Sequence, residues 1–276
     1  MGKILAVALP KGGVGKTTAA VNLAFALAIK NKKTLLIDLD PAGSCSSSLG
    51  FTKEIINGDM FDVFNFSKSL VQVIQKTEQE NLSFIPLKNL NYKDEVRLTK
   101  LATNQSLLRN VLRAEAPSFD FIIIDCPPYL IGFTTDALIA SDSVLIPVMM
   151  GKFSMDAVDK ILEHMDYIKR NYNQHLSVEG ILLSNYEYNT KVSFTAKKEL
   201  YSKYPDLILQ TVIPKNVAVI EATFHNKPSI KHNPSAKSSI AYLQLAGEII
   251  EKNSLGYYQV LTDIDVKDTI RTKERI

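Results

Sequence analysis

Short apolar runs alternate with longer helical patterns almost from one end of the chain to the other. Runs at Lys3 to Leu9, Thr34 to Leu39, Leu82 to Ile85, Phe121 to Ile124, Ser143 to Val148, Val178 to Leu183 and Leu207 to Val212 are rich in Ile, Val, Leu or Phe. Several are continuously apolar, as strands covered on both faces should be. Between them, the patterns at Lys16 to Lys30, Thr99 to Ala114, Ser154 to Asn171, Val192 to Lys203 and Ser235 to Lys252 predict helices. The alternation predicts a doubly wound α/β fold, a mostly parallel sheet with helices on both faces. Pro10, Pro41, Pro127, Pro128, Pro147 and Pro214 are expected at strand ends, where a loop must begin. From Phe51 to Lys93 the periodicity is weak and short helices are the most it suggests. Residues 1–252 are expected to form one domain, and the polar, mixed-charge stretch 253–276 a flexible tail.

Composition narrows the class. With 276 residues, 46% hydrophobic and 22% charged, the chain has the balance of a globular protein with a sizeable core. Its apolar runs all fall short of the roughly 18 to 20 residues that a membrane helix needs, which excludes an integral helical membrane protein. The opening Met1 to Pro10 run is too short for a secretory leader and is expected to be the first strand. Cys45 and Cys126 supply neither a disulfide framework nor a structural zinc site, which fits a reducing cytoplasm. A net charge of +3 is too small by itself to indicate nucleic-acid binding.

The candidate chemistry begins at Pro10-Lys11-Gly12-Gly13-Val14-Gly15-Lys16-Thr17-Thr18, placed between an apolar strand and an apolar helix. This is the setting of a Walker A phosphate loop, altered by Pro10 where the standard pattern has glycine and by the extra Lys11. Glycines let successive backbone N–H groups turn inward toward phosphate oxygens, and the helix adds its positive end. Lys16 is expected to neutralise β- and γ-phosphate charge, and Thr17 to offer its hydroxyl to Mg²⁺. A second strand, Leu35 to Leu39, runs into the carboxylates Asp38 and Asp40, one of them expected to face the nucleotide. A third, Phe121 to Ile124, delivers Asp125 to the sheet edge like a Walker B aspartate, expected to bind Mg²⁺ through water. Cys126 is expected to be a small buried residue.

Lys11-Gly-Gly-Val-Gly-Lys-Thr, Asp38-Leu-Asp-Pro and Asp125-Cys-Pro-Pro together resemble the deviant Walker A ATPases of the ParA/MinD family. Segments from Ala140 to Pro147, Thr211 to Val217 and Glu221 to Tyr242 extend a ParA/Soj-like resemblance over residues 3 to about 250. The resemblance implies a P-loop ATPase that closes as a homodimer around ATP and Mg²⁺. Lys11 would reach across to the partner copy's phosphates, and Gly12, Gly13, Val14, Gly15, Lys16, Thr17 and Thr18 would cradle the subunit's own. Lys11, Lys16 and Asp40 would form the catalytic set, with Asp40 positioning the attacking water and Asp38 supporting the metal shell or the loop. Thr17, Asp40 and Asp125 would surround Mg²⁺. Asn185 would read the adenine, Pro214 would pack on it, and the loop Tyr129 to Thr135 would sense the γ-phosphate. Ala42-Gly43-Ser44 departs from the Gln-Gly-Asn usual in the family, and Ala218 stands where relatives often carry a DNA-contacting arginine.

Between Asn185 and Ile240 eight lysines stand against Glu187, Glu199, Asp206 and Glu221, a local charge of +4. Lys191, Lys197, Lys198, Lys203, Lys215, Lys227 and Lys231, with Lys237, could line one face or be scattered over a solvated surface, and the resemblance implies that they hold double-stranded DNA nonspecifically. The resemblance further implies a centromere-binding, ParB-like partner, a cytoplasmic and nucleoid-associated location, and a role in plasmid or chromosome segregation. A MinD-like membrane cycler is the rival, but it should end in a basic amphipathic helix, and Asp263 and Asp265 break that pattern, so no stable membrane association is expected. A nucleotide-gated adaptor for another cargo is the other alternative.

Overall fold

A computed structural model of the chain describes residues 2–52, 54–87, 93, 106–151 and 154–254. Its strands are β1 (Lys3–Val7), β2 (Thr34–Asp38), β3 (Gln75–Lys76), β4 (Leu82–Ile85), β5 (Phe121–Asp125), β6 (Ser143–Met149), β7 (Ser177–Tyr186) and β8 (Ile208–Pro214). They form one sheet in the order β3-β4-β2-β5-β1-β6-β7-β8. Pairing is parallel except between β3 and β4. β3 is a two-residue edge strand whose short pattern carries no period to detect.

Alternate residues of each strand feed two cores. Ile4, Ala6, Leu35, Ile37, Ile122, Ile124, Val144 and Ile146 lie in one cluster, packed with Leu108, Leu112, Leu138, Val158 and Ile161. Leu5, Val7, Leu36, Ile123 and Leu145 lie in the other, packed with Leu23, Leu27, Tyr242, Leu245 and Ile249. Such two-sided burial is what a doubly wound sheet requires and explains the unbroken apolar strands. Helices Lys16–Ile29 and Ser154–Asn171 lie where the periodicity predicts, and Lys191–Lys203 within one residue of it. The last helix covers residues 237–254, two residues past the expected domain limit; residues 255–276 of the expected tail lie outside the described residues. The helix expected from Thr99 is described from Leu107 to Glu115.

Among the described residues, six short helices escape the periodicity argument: Ser44–Ser48, Met60–Phe64, Leu70–Val73, Phe133–Ala140, Val217–Phe224 and Ser229–His232. At one or two turns each they depend on caps and tertiary contacts more than on a stripe. Asp59 caps one, accepting from the Asp62 N–H at 3.1 Å, and Asn216 caps another, accepting from the Ala218 N–H at 2.9 Å. Asn22, buried within Lys16–Ile29, accepts from both the N–H and the hydroxyl of Ser229, at 2.9 and 2.8 Å. That pair ties Ser229–His232 to the first helix across 207 residues of sequence, and its polar atoms are satisfied without water.

Pro147 corrects the expectation that the prolines mark strand ends, because it lies inside β6 and pairs with Leu182. Pairing of β6 with β1 stops at Leu145, whose carbonyl accepts from the Ala8 N–H at 3.1 Å. Residues 145 and 147 present their backbone groups to the same side, so the N–H that proline lacks would face where β1 has already ended.

Candidate nucleotide site

β1 stands at the point where strand order reverses, with β5 and β2 on one side and β6, β7 and β8 on the other. In open α/β sheets the crevice beyond the carboxyl ends of strands at such a switch point is where ligands bind. The loop from Pro10 to Gly15 leaves β1 at this crevice and enters helix Lys16–Ile29. Gly13 and Gly15 adopt φ of 72° and 88°, a left-handed conformation that glycine takes without steric cost. A Cβ added at Gly12, Gly13 or Gly15 would meet no heavy atom within 4 Å, so the glycines front open space.

Lys16 is 7% exposed and donates from Nζ to the Lys11 carbonyl at 2.9 Å. Burial pulls its pKa down, while the charges of Asp125 and Asp40 oppose the shift. Lys11 is half-buried and makes no ion pair among the described residues. Thr17 and Thr18 begin the helix, also half-buried.

Strand pairing places Asp38 directly opposite Asp125. Both are fully buried. Burial is the main force raising the Asp125 pKa to about 7, with Asp40 adding to it; Thr17, Cys45 and Lys16 hold it down. Burial also raises Asp38 well above the usual carboxylate range, with Asp125 as its second cause. Asp38 accepts from the Asp40 N–H at 2.9 Å and the Cys45 N–H at 3.1 Å, so it shapes the loop that presents Asp40. Asp40 itself is half-buried and accepts from the Ala42 N–H at 3.0 Å. Asp125 Oδ1 is buried and has no hydrogen-bond partner. An orphaned buried carboxylate oxygen beside an open glycine cradle fits a phosphate-bound divalent cation.

Asn185 and Pro214 lie at the ends of β7 and β8, where Tyr186 pairs with Pro214. Two and three strand spacings of about 4.8 Å separate them from β1, roughly the reach of a nucleoside triphosphate from its γ-phosphate to its base. Asn185 adopts φ of 52° and turns its amide onto Met149 Sδ at 3.4 Å. Pro214 borders a cavity of about 730 Å³ with Tyr186, Tyr188, Lys215 and Gln244. Within the stretch Tyr129 to Thr135, the last three residues already belong to helix Phe133–Ala140. Its hydroxyls stitch the turn, Thr134 to the Tyr129 carbonyl at 2.5 Å and Thr135 to the Leu130 carbonyl at 2.8 Å.

Cys126 is buried, as expected. Cys45 is the site residue that sequence reasoning missed: its Sγ donates to Asp125 Oδ2 at 3.4 Å. Only the adjacency of β2 and β5 brings it there, and no spacing in the sequence reveals that adjacency.

The lysines do not line one face. Lys227 and Lys231 border a cleft with Thr77, Glu78 and Gln79, near the β3 edge, and Lys231 pairs with Glu78. Lys191, Lys197, Lys198 and Lys203 lie on the helix between β7 and β8, Lys215 follows β8, and Lys237 opens the last helix beside Tyr186 and Pro214, all at the opposite end of the sheet order. There Lys203 pairs with Asp159 at 2.6 Å and Lys215 with Glu187 at 2.8 Å. Lys197 Nζ lies 5.6 Å from the Tyr186 ring centre and 5.5 Å from that of Tyr201. Lys191 and Lys198 are exposed.

Together the glycine loop, its two lysines and the paired strand-end aspartates define a P-loop nucleotide-binding protein of the deviant Walker A class. Comparison with known proteins agrees. An AAA domain family model matches residues 2–178. The sporulation initiation inhibitor protein Soj of Bacillus subtilis is 36% identical over 90% of this chain and 98% of its own length. The chromosome partitioning protein ParA of Myxococcus xanthus is 32% identical over 92% and 90%. Among solved structures, a cobyrinic acid a,c-diamide synthase from Mycobacterium smegmatis, with bound ATP analogue and magnesium, superposes with a TM-score of 0.79. It is 25% identical and covers 93% of this chain and 97% of its own. The chain belongs to the ParA/Soj family of ATPases.

Proposed function

We propose that this protein is a chromosome- or plasmid-partitioning ATPase that closes as a homodimer around ATP and Mg²⁺ and binds double-stranded DNA in that state. The observation that carries the reading is the arrangement of two lysines in one loop. Lys16 is buried and fixed on the Lys11 carbonyl, while the Lys11 side chain stays outside every ion pair among the described residues. Two ammonium groups on one short loop are held together only where phosphate charge lies between them, so a second copy's nucleotide is the natural partner of Lys11. Soj and ParA, whose names denote sporulation control and chromosome partitioning, support the same reading.

Thr17, Asp40 and Asp125 are the residues that would hold Mg²⁺, which supplies charge neutralisation at the β- and γ-phosphate oxygens. Lys16 meets the same charge from the loop side. Asp40, half-buried and held by its own loop, orients the attacking water. Asn185 and Pro214 receive the base. Hydrolysis releases the dimer and the DNA, and a centromere-binding, ParB-like protein stimulates it. The protein is then cytoplasmic and associated with the nucleoid, in keeping with the lack of any helix long and apolar enough to cross a membrane among the described residues.

Gel-shift binding to random-sequence duplex DNA, with ATP, ADP or no nucleotide, tests the proposal. Binding should require ATP and Lys11, and should disappear in Lys11→Ala. Binding that ignores nucleotide, or none in any state, contradicts it.

A further inference from the structure

We propose that Asp38, Cys45 and Asp125 form a binding site for a thiophilic divalent cation of the zinc or cadmium class, where β2 and β5 end side by side. All three side chains are fully buried, and one donor atom from each lies within 4.8 Å of the others. Cys45 Sγ and Asp125 Oδ2 are 3.4 Å apart. A tetrahedral zinc ion with sulfur at about 2.3 Å and oxygen at about 2.1 Å holds those two ligands about 3.6 Å from each other. That pair therefore needs little adjustment, and Asp38, whose donor atom lies within 4.8 Å of both, would close in on the ion. Asp38 is fixed by the two backbone N–H groups it accepts, one on each oxygen, and each oxygen keeps a lone pair. On the same fully buried carboxylate, Asp125 Oδ1 makes no hydrogen bond. Three ligands leave a fourth position for water.

The sulfur selects the class of ion. Magnesium takes oxygen ligands and gains nothing from a thiol, whereas zinc and cadmium bind thiolate strongly. Binding forms a sulfur–metal bond and releases the thiol proton to solvent, with no change of oxidation state. Cys126 is not part of the cluster; its Sγ faces the Ile124 carbonyl at 3.8 Å. Because Asp125 would be shared, a soft cation here displaces magnesium and arrests hydrolysis. That consequence rests on the proposed ATPase function, whereas the site itself does not.

Cobalt(II), a coloured stand-in for zinc, tests the site in the full-length, nucleotide-free protein. One equivalent should give a near-ultraviolet thiolate-to-cobalt charge-transfer band that zinc abolishes on addition. The band should persist in Cys126→Ser, which leaves Cys45 as the sole thiol, and vanish in Cys45→Ala. Absence of the band in wild type, or its survival in Cys45→Ala, overturns the proposal. Magnesium-dependent hydrolysis should be inhibited by zinc in wild type and spared in Cys45→Ala. If the protein hydrolyses no ATP at all, the cobalt band still decides the metal site by itself.

Discussion

The two ends of the crevice handle charge in opposite ways. At β1, β2 and β5, Lys16, Asp38 and Asp125 are buried, and the strand register sets them against one another. Beside β7 and β8, Lys203 and Lys215 are exposed and already rest on carboxylates. Burying ions costs several kcal/mol each, and here burial raises the pKa of Asp38 and Asp125 and lowers that of Lys16. Surface ion pairs are worth about 0–1 kcal/mol and can be exchanged freely for phosphates. The first end is thus a fixed, buried cluster and the second an exposed set of charges that can change partners.

Substitutions should separate the two ends, and the largest effect belongs to the buried one. Lys16→Ala removes the ammonium proposed to meet the phosphates and should lower ATP turnover by about 10³-fold. Lys203→Ala, at the other end, should leave turnover unchanged in the same phosphate-release assay. Next in size, Asp40→Ala should cost about 10²-fold in hydrolysis while fluorescent-nucleotide binding stays near wild type. Loss of binding together with turnover would make holding Mg²⁺, and not positioning water, the main contribution of Asp40.

A weaker, graded response is expected over β7 and β8. Replacing Lys197 and Lys198 together by alanine should flatten the plot of log affinity for DNA against log salt by about 0.9 for each phosphate that the variant leaves without a cation. The same change at Lys203 and Lys231, whose carboxylate partners are in place, should shift the slope less. Equal shifts would mean that the ion pairs open on DNA and that all these lysines meet phosphate.

The smallest effect concerns Asp136, buried with its Oδ1 unpartnered and raised by burial to about 7. Its folded pKa lies above the unfolded value of 3.8, so its protonated form favours the fold at low pH. That stability is lost as pH rises from about 4 through 7. Asp136→Asn should therefore flatten the melting-temperature profile over this window and raise Tm by roughly 2–4 °C at about pH 8. A variant whose Tm follows the wild-type profile would show that the carboxyl is neutralised by a group outside the described residues.

The phosphate end is legible in the sequence because its chemistry is carried by contiguous residues. Pro10 to Thr18 states strand, loop, lysine and helix in one stretch, and the apolar strands announce their two-sided burial. What is not legible depends on neighbours distant in sequence. Cys45 meets Asp125 only because β2 lies beside β5, and Asn22 meets Ser229 only because a late helix crosses the first one. Charge counting along residues 185 to 240 gives eight lysines without saying whether they share a face; the fold separates them, because Lys231 crosses to Glu78 near the β3 edge. Pro147 misleads for a related reason, since whether a strand tolerates proline depends on where its neighbour stops.

The most direct test of a site completed by two copies is mass in solution. Light scattering with Mg²⁺ and a nonhydrolysable ATP analogue should give twice the 30.7 kDa chain mass for wild type, and the single-chain mass for Lys11→Ala and for protein with ADP. A wild-type chain that stays at 30.7 kDa with the analogue saturating would contradict the account.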